Sequence, residues 1–169
     1  MPELRVQLTK RPDGGAVLRC VRADGSVTWQ RQDGPRAAFF PFHDLTHLAV
    51  ESTLGFRAGF YGLIADGWDI DDTGGKGRRG RLPPEAGLVE HVVGLFDRER
   101  VGGAPPLSAE EFAGHLARAG LDVPPPGLGD AQLDAARARI DALHGAWAAL
   151  APGATLELPF DRGVPNARR

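Results

Sequence analysis

The chain has 169 residues and a mass of 18.0 kDa, which suits one domain rather than two. Hydrophobic residues make up 42% of the chain and charged residues 25%, a balance that supplies one core and excludes disorder of the whole chain. The net charge of −2 gives no overall field that would attract nucleic acid or an anionic membrane, so we expect neither as a partner.

Cysteine usage and hydropathy favour a cytoplasmic protein. Cys20 is the only cysteine, so the chain forms no disulfide with itself and no cysteine-rich zinc site. No stretch approaches the roughly 18 apolar residues of a membrane-spanning helix, and the first residues carry no apolar targeting segment. We therefore expect a cytoplasmic location without a membrane partner.

Residues 1–32 predict a three-stranded antiparallel meander. Apolar and polar residues alternate there with the period of two that is typical of half-buried strands. The dipeptides Asp13-Gly14 and Asp24-Gly25 supply the positive φ that tight hairpins need. The alternation is carried by Leu4, Val6, Leu8, Val17, Arg19, Val21, Val27 and Trp29.

Residues 39–150 predict a mainly helical region with about five helices. Phe42, Leu45 and Leu48 recur at helical spacing, and Gly55 follows where a helix would end. Residues 67–82 predict an irregular loop because they are rich in Gly, Asp and Arg. The expected helices cover 42–54, 57–65, 83–100, 108–119 and 130–150, with Asp130 as the cap of the last and Pro124-Pro125-Pro126 as a rigid linker before it.

The end of the chain predicts one more strand. Residues 154–158 alternate in the manner of a short strand, and such a strand could join the N-terminal sheet. Residues 161–169 read as a frayed tail. The sequence therefore predicts one α+β domain over residues 1–169.

Two histidines on the first predicted helix indicate a metal site. His43 and His47 lie four residues apart, so their rings project from one side of the helix about 6 Å apart along its axis. Two ligands of one divalent ion can span this distance, and zinc is the ion that we favour. Asp44 and Glu51 lie beside the pair and add acidic character to the same stripe.

The third ligand has two main candidates and a weaker third. Glu51 lies two turns from His43, so all three side chains must lean toward the middle of the stripe. His91 borders the apolar stripe of another predicted helix, where it could meet the first helix, and His144 is a weaker candidate of the same kind. We expect Asp44 to orient a ligand or a water, which makes it the candidate catalytic residue.

Three zinc or metal motifs are similar to this segment. His43, Asp44 and His47 stand where metallopeptidases have H-E-x-x-H, with Asp44 in place of the general-base glutamate. HD-type phosphohydrolases need a histidine upstream of the pair, and none precedes His43. The same residues match the H-D-x-x-H pattern of a zinc-dependent family of ubiquinone biosynthesis, whose following glutamate is Gly59 here.

Residues 39–51 most resemble uncharacterised bacterial proteins that carry the segment H-D-L-T-H-x-A-V-E. The resemblance covers about 30 residues and implies no activity. The residues themselves lead us to expect a divalent metal ion and a metal-dependent hydrolase acting on a small molecule. The alternative is a non-catalytic binding or protein-interaction module, in which the histidines form an ordinary polar face.

The glycine-rich basic stretch 73–81 allows three interpretations. Its backbone amides and guanidinium groups could hold a phosphate, or the stretch could cover the histidines as a lid. A loop without a ligand is the interpretation that we favour. The spacing of its glycines and lysine does not fit a Walker A loop.

Overall fold

The strands form one sheet in the computed structural model, which describes residues 1–103, 105–121 and 127–162. The predicted meander is confirmed, and the C-terminal strand joins it, so that the order is β3-β2-β1-β4 with every neighbouring pair antiparallel. The fold is α+β, as the sequence predicts. The strands are β1 (Leu4–Lys10), β2 (Ala16–Arg22), β3 (Val27–Arg31) and β4 (Thr155–Phe160).

The buried face of the sheet differs from the predicted one in β2 and β3. Residues that lie opposite each other in a ladder point to the same face, and Val6 pairs with Cys20, which pairs with Thr28. The core side of β2 and β3 is therefore set by β1, whose Val6 is fully buried. Trp29 lies on the opposite face and is 61% exposed. The strand residues that the alternation placed wrongly toward the core are Val17, Arg19, Val27 and Trp29.

Five helices follow in the described part of the chain, as predicted, although several boundaries differ. The second helix begins three residues later than expected, and a short 3₁₀ helix, Ile70–Gly74, lies inside the stretch predicted as loop. Apolar Ile70 is buried, which anchors that loop. The helices are α1 (Phe40–Leu54), α2 (Phe60–Ala65), α3 (Pro84–Gly102), α4 (Ala109–Arg118) and α5 (Asp130–Ala149).

Helix ends follow local sequence, with one exception. α1 stops at Gly55, which takes a left-handed φ of 75°, and Ser108 opens α4 with a capping box. Asp130 does not cap α5, because Gly129 occupies the cap position and its N–H donates to the Gln132 side chain at 2.8 Å. The Asp130 carboxylate instead accepts the N–H of Ala109 at 2.7 Å, which ties the start of α5 to the start of α4.

α1 lies at the centre of the molecule. It packs against α5, α3 and α2 and also contacts β2. Every residue from Asp44 to Glu51 is consequently buried, although an amphipathic surface helix would leave one side in water. The fold thus places Asp44, Thr46, His47 and Glu51 in the interior, where each polar group needs a partner.

Part of the predicted C-terminal tail is held against the start of the chain. Arg162 forms an ion pair with Glu3 at 2.6 Å and another with Asp66 at 2.9 Å, and Asp161 accepts the N–H of Glu3. The prediction of fraying from Asp161 is therefore wrong for these two residues. Residues 163–169 and the predicted linker Pro124-Pro125-Pro126 lie outside the described residues.

None of the described helices is long and apolar enough to cross a membrane.

The Cys20 thiol should resist alkylation in the folded protein. It is fully buried, and this burial, with a contribution from the negative charge of Asp44, raises its pKa to about 12. At about pH 8 roughly one thiol in ten thousand would be ionised and none would be accessible. We expect iodoacetamide to leave Cys20 unmodified by mass spectrometry in native protein and to modify it fully in guanidinium chloride. Equal labelling rates in the two states would contradict the buried position of β2.

Candidate metal centre

The two histidines of α1 lie side by side at the edge of the interior. Their ring centroids are 4.8 Å apart, as expected for residues one turn apart on a helix. The His47 side chain is 2% exposed and the His43 side chain 24% exposed, so the pair runs from the core toward solvent. The Phe39 ring stacks on His43 and limits its motion.

Glu90 of α3 meets both histidines. Its carboxylate oxygens lie 3.2 Å from His47 Nε2 and 3.9 Å from His43 Nε2. The three residues offer ligand atoms that all lie within 4.8 Å of one another, so the group could hold a metal ion. Among the described residues, no other group of three or more acidic, histidine or cysteine side chains brings its ligand atoms close enough together to hold one metal ion.

A second carboxylate holds the other nitrogen of each histidine. His43 Nδ1 lies 2.8 Å from Asp97 of α3, and His47 Nδ1 lies 3.1 Å from Glu51 of α1 itself. A carboxylate cannot donate, so each Nδ1 carries the hydrogen and donates it. The same rule gives His47 Nε2 a hydrogen while it faces Glu90 at 3.2 Å. If an ion displaced that hydrogen, the Nε2 lone pairs of both histidines would be on the Glu90 side.

Glu51 is locked behind His47 rather than placed at the common point. Its carboxylate is fully buried and accepts the backbone N–H groups of Tyr61 at 3.3 Å and Gly62 at 3.0 Å. These donors come from the first turn of α2, which packs against α1. The structure therefore brings Glu51 to the predicted site as a partner of a histidine, not as a third ligand of the group.

His91, the other third-ligand candidate, is not brought to the group. It is exposed, and its ring Nδ1 bonds to the carbonyl oxygen of Gly87 on its own helix. Successive helical residues point about 100° apart, so the face of α3 that turns Glu90 to α1 turns His91 away. Sequence reasoning missed Glu90 and Asp97, although their spacing of two helical turns places them on one side of α3.

His144 lies on another side of α1. Its Nε2 is 2.9 Å from the carbonyl oxygen of Phe42 and 3.1 Å from Thr46 Oγ1, and the side chain is buried. Because the Phe42 carbonyl only accepts, Nε2 donates to it. Burial lowers the pKa of His144, which favours the neutral ring. The residue thus joins α5 to α1 and has no part in the group with Glu90.

Opposing effects set the charges of the group. Burial alone would lower the pKa of His47, but its hydrogen bonds to Glu51 and Glu90 outweigh burial and raise the pKa to about 10. Burial works against ionisation of Glu90 too, and the hydrogen bond to His47 overcomes it, so that the pKa of Glu90 is lowered. A positive charge between these carboxylates is therefore stabilised, whether a proton or a metal ion supplies it.

The group opens on a cleft of about 360 Å³. Asp44, the predicted catalytic residue, lines this cleft but does not belong to the group of three. Its Oδ2 accepts a hydrogen bond from Gln32 Nε2 at 2.5 Å, and burial raises its pKa to about 6 against that bond. The cleft is lined by Gln30, Gln32, Phe40, His43, Asp44, His47, Phe60, Ile70, Asp71, Thr73, Gly74 and Glu90.

Gly59 lies against the carboxylate of Glu51. A Cβ atom at this position would lie far inside van der Waals contact with Glu51 Cδ. The backbone of Gly59 and the side chain of Glu51 therefore occupy adjoining space that leaves no room for a larger residue.

Comparisons with known proteins assign no family. No protein-family model, no curated protein and no solved structure matches this chain. The resemblance of residues 39–51 to bacterial H-D-L-T-H-x-A-V-E proteins stays a prediction.

We expect Gly59→Ala to destabilise the protein by about 1–3 kcal/mol, as overpacking does in a well-packed interior. The added methyl group must displace the Glu51 carboxylate, which is held by two backbone amides and His47. Gly145→Ala is the matched control: nothing lies within 4 Å of its Cβ position on α5, so the stability should stay equal or rise by roughly 0.5–1 kcal/mol. Urea unfolding of both variants measures the difference, and equal stabilities would show that Glu51 is not confined.

Proposed function

We propose that the protein binds one divalent metal ion, zinc in the first place, through His43 Nε2, His47 Nε2 and the carboxylate of Glu90. We further propose that it uses this ion to hydrolyse a small molecule bound in the adjoining cleft. The observation that carries the proposal is the pairing of both histidines: each Nδ1 is held by a carboxylate, and each Nε2 is on the side of Glu90. Carboxylate partners of this kind are typical of metal-binding histidines, because they fix the ring and raise its basicity.

The donor set supports a catalytic rather than a structural ion. Two imidazole nitrogens and one carboxylate leave a coordination position for water, as catalytic zinc sites do, whereas structural zinc sites have four protein ligands. Glu90 and His43 both line the cleft, so that position would face a substrate. A zinc ion in such a site lowers the pKa of bound water to about 7 and so provides a nucleophile at neutral pH.

The protein's own residues supply binding and orientation. Asp97 and Glu51 hold the two rings. Asp44 lines the cleft without belonging to the group of three, and unlike Asp71 it is buried beside the histidines, so we assign to it the hydrogen bond from a water or a substrate. Phe40 and Phe60 give the same cleft apolar walls, which would bind the hydrocarbon part of a substrate.

Elemental analysis of protein purified without a histidine tag tests the ion. We expect about one equivalent of metal in the wild type and its loss in Glu90→Gln, because the third ligand is removed while the amide keeps the shape of the side chain. His91→Ala is the control: His91 follows Glu90 in the chain, but its ring bonds to Gly87 of its own helix and is not part of the group, so the metal should stay. Iron instead of zinc would keep the site and change the chemistry, since the same donors hold iron in oxygenases.

Substituting a carboxylate that holds a histidine Nδ1 should weaken metal binding without abolishing it. Asp97→Asn should weaken metal affinity about 10- to 100-fold without removing a ligand, the usual cost of losing the partner of a ligand histidine. Competition with a chromogenic chelator measures this affinity. Wild-type protein that takes up no metal even after reconstitution would overturn the proposal and leave a non-catalytic module as the better explanation. Metal bound with equal affinity by Glu90→Gln and wild type would show that the ion lies elsewhere.

A further inference from the structure

We propose that the cleft beside the metal centre accepts uncharged or cationic substrates and rejects those that bear a phosphate or a carboxylate. This inference rests on the proposed function, because it concerns what the same site would hydrolyse. It comes from the distribution of charge around the cleft.

The site holds more carboxylates than the two positive charges of a divalent ion can neutralise. Glu90, Asp44 and Asp71 line the cleft itself. Asp97 and Glu51 lie directly behind, each against one of the two histidines. Five carboxylates around one dication leave a negative field, and low-dielectric walls concentrate such a field inside a cleft.

Cationic side chains are missing from the lining of the cleft. No lysine or arginine is among the described residues that line it. Sites that take phosphoryl or carboxylate groups place arginine, lysine or a similar donor set against the anion. Arg36 lies over the lining ring of Phe40 but is not itself a lining residue. It offsets one of the five carboxylates, so an anionic substrate would still meet an excess of negative charge without a cationic partner in the lining.

The basic stretch after the 3₁₀ helix does not supply the missing cation. Arg79 donates to the carbonyl oxygen of Gly67 at 2.8 Å and lies over the ring of Trp68. Of the glycine-rich stretch 73–81, only Thr73 and Gly74 line the cleft, and neither is charged.

The remaining lining suits a neutral polar group next to hydrocarbon. Phe40, Phe60 and Ile70 are apolar, and Thr73 and Gln30 offer uncharged hydrogen-bonding groups. Gln32 is buried in the lining, and its Oε1 is an acceptor without a hydrogen-bond partner among the described residues. A substrate N–H or O–H would give this oxygen the donor that a buried acceptor needs.

A neutral ester or amide fits these requirements. Its hydrolysis breaks the acyl C–O or C–N bond: the hydroxyl of water joins the acyl carbon, and a hydrogen of that water goes to the departing oxygen or nitrogen. The acid that forms ionises at neutral pH. The field that admits the neutral substrate would therefore repel the anionic product and favour its release.

Three hydroxamates, each with its terminal group attached through the third atom from the hydroxamate carbon but with different charges there, test the inference. All share a head that binds a divalent ion: butyrohydroxamic acid has a neutral tail, succinic monohydroxamic acid an anionic tail and β-alanine hydroxamate a cationic tail. Their affinities are measured from the visible absorption of cobalt-loaded protein at low salt, a readout that needs no turnover. We expect the anionic probe to bind at least about 10-fold more weakly than the neutral one, and the cationic probe at least as tightly.

A charge-reversing substitution in the cleft tests whether the charge of its lining causes the weaker binding of the anionic probe. Asp71→Arg should reduce the penalty on the anionic probe severalfold, because Asp71 is exposed and lines the cleft. Glu110→Arg changes the net charge by the same amount at an exposed position of α4 and should leave the ratio unchanged. Equal effects of the two variants, or an anionic probe that binds as tightly as the neutral one, would overturn the inference alone. Wild-type protein that develops no cobalt spectrum would overturn the proposed function and this inference with it.

Discussion

The burial of α1 on all sides is the constraint on which the rest of the structure depends. The helix carries ionisable side chains into the interior, and charges there are tolerated only when they are paired and hydrogen-bonded. The partners come from every direction: Asp97 and Glu90 from α3, backbone amides from the start of α2, and Gln32 from the segment after β3. Each of these contacts fixes the position of an element against α1. Polar pairing therefore orients the helices that the apolar core holds together.

The pairing of the histidines with carboxylates, which stabilises buried charge, is also the arrangement that a metal centre would have. His47 lies between two carboxylates, which stabilise its positive form and raise its pKa to about 10. A metal ion at the Nε2 side would replace the proton by two positive charges in the same surroundings. Glu90 is the half-exposed member, so ions can reach the site without opening the core. A salt bridge between His47 and its carboxylates would not by itself require anything of His43. In the structure, however, His43 also turns its Nε2 toward Glu90, and Asp97 holds the ring in that orientation.

Local sequence patterns predicted the helices and strands, whereas the face that each element buries depends on tertiary packing. Helix ends at Gly55 and Ser108 follow from residues a few positions apart, and His43 and His47 share a side because a helix turns once in 3.6 residues. The buried face of β2 depends instead on its register with β1, which no single strand encodes. Glu90 was missed for a related reason, since only the rotation of α3 about its axis distinguishes it from His91.

The two acidic residues of α1 that sequence analysis grouped together have different surroundings and so different roles. Glu51 is held by two backbone amides and His47, and Gly59 closes the space around it, so it can only support the ring. Asp44 receives one hydrogen bond from Gln32 and lines the cleft, and its pKa of about 6 lies close to neutrality. A carboxylate with few donors can exchange a proton or a hydrogen bond with a bound molecule, whereas one with three donors cannot without breaking them. The number of donors thus separates the carboxylate that holds His47 from the one that would be free to act in the proposed site.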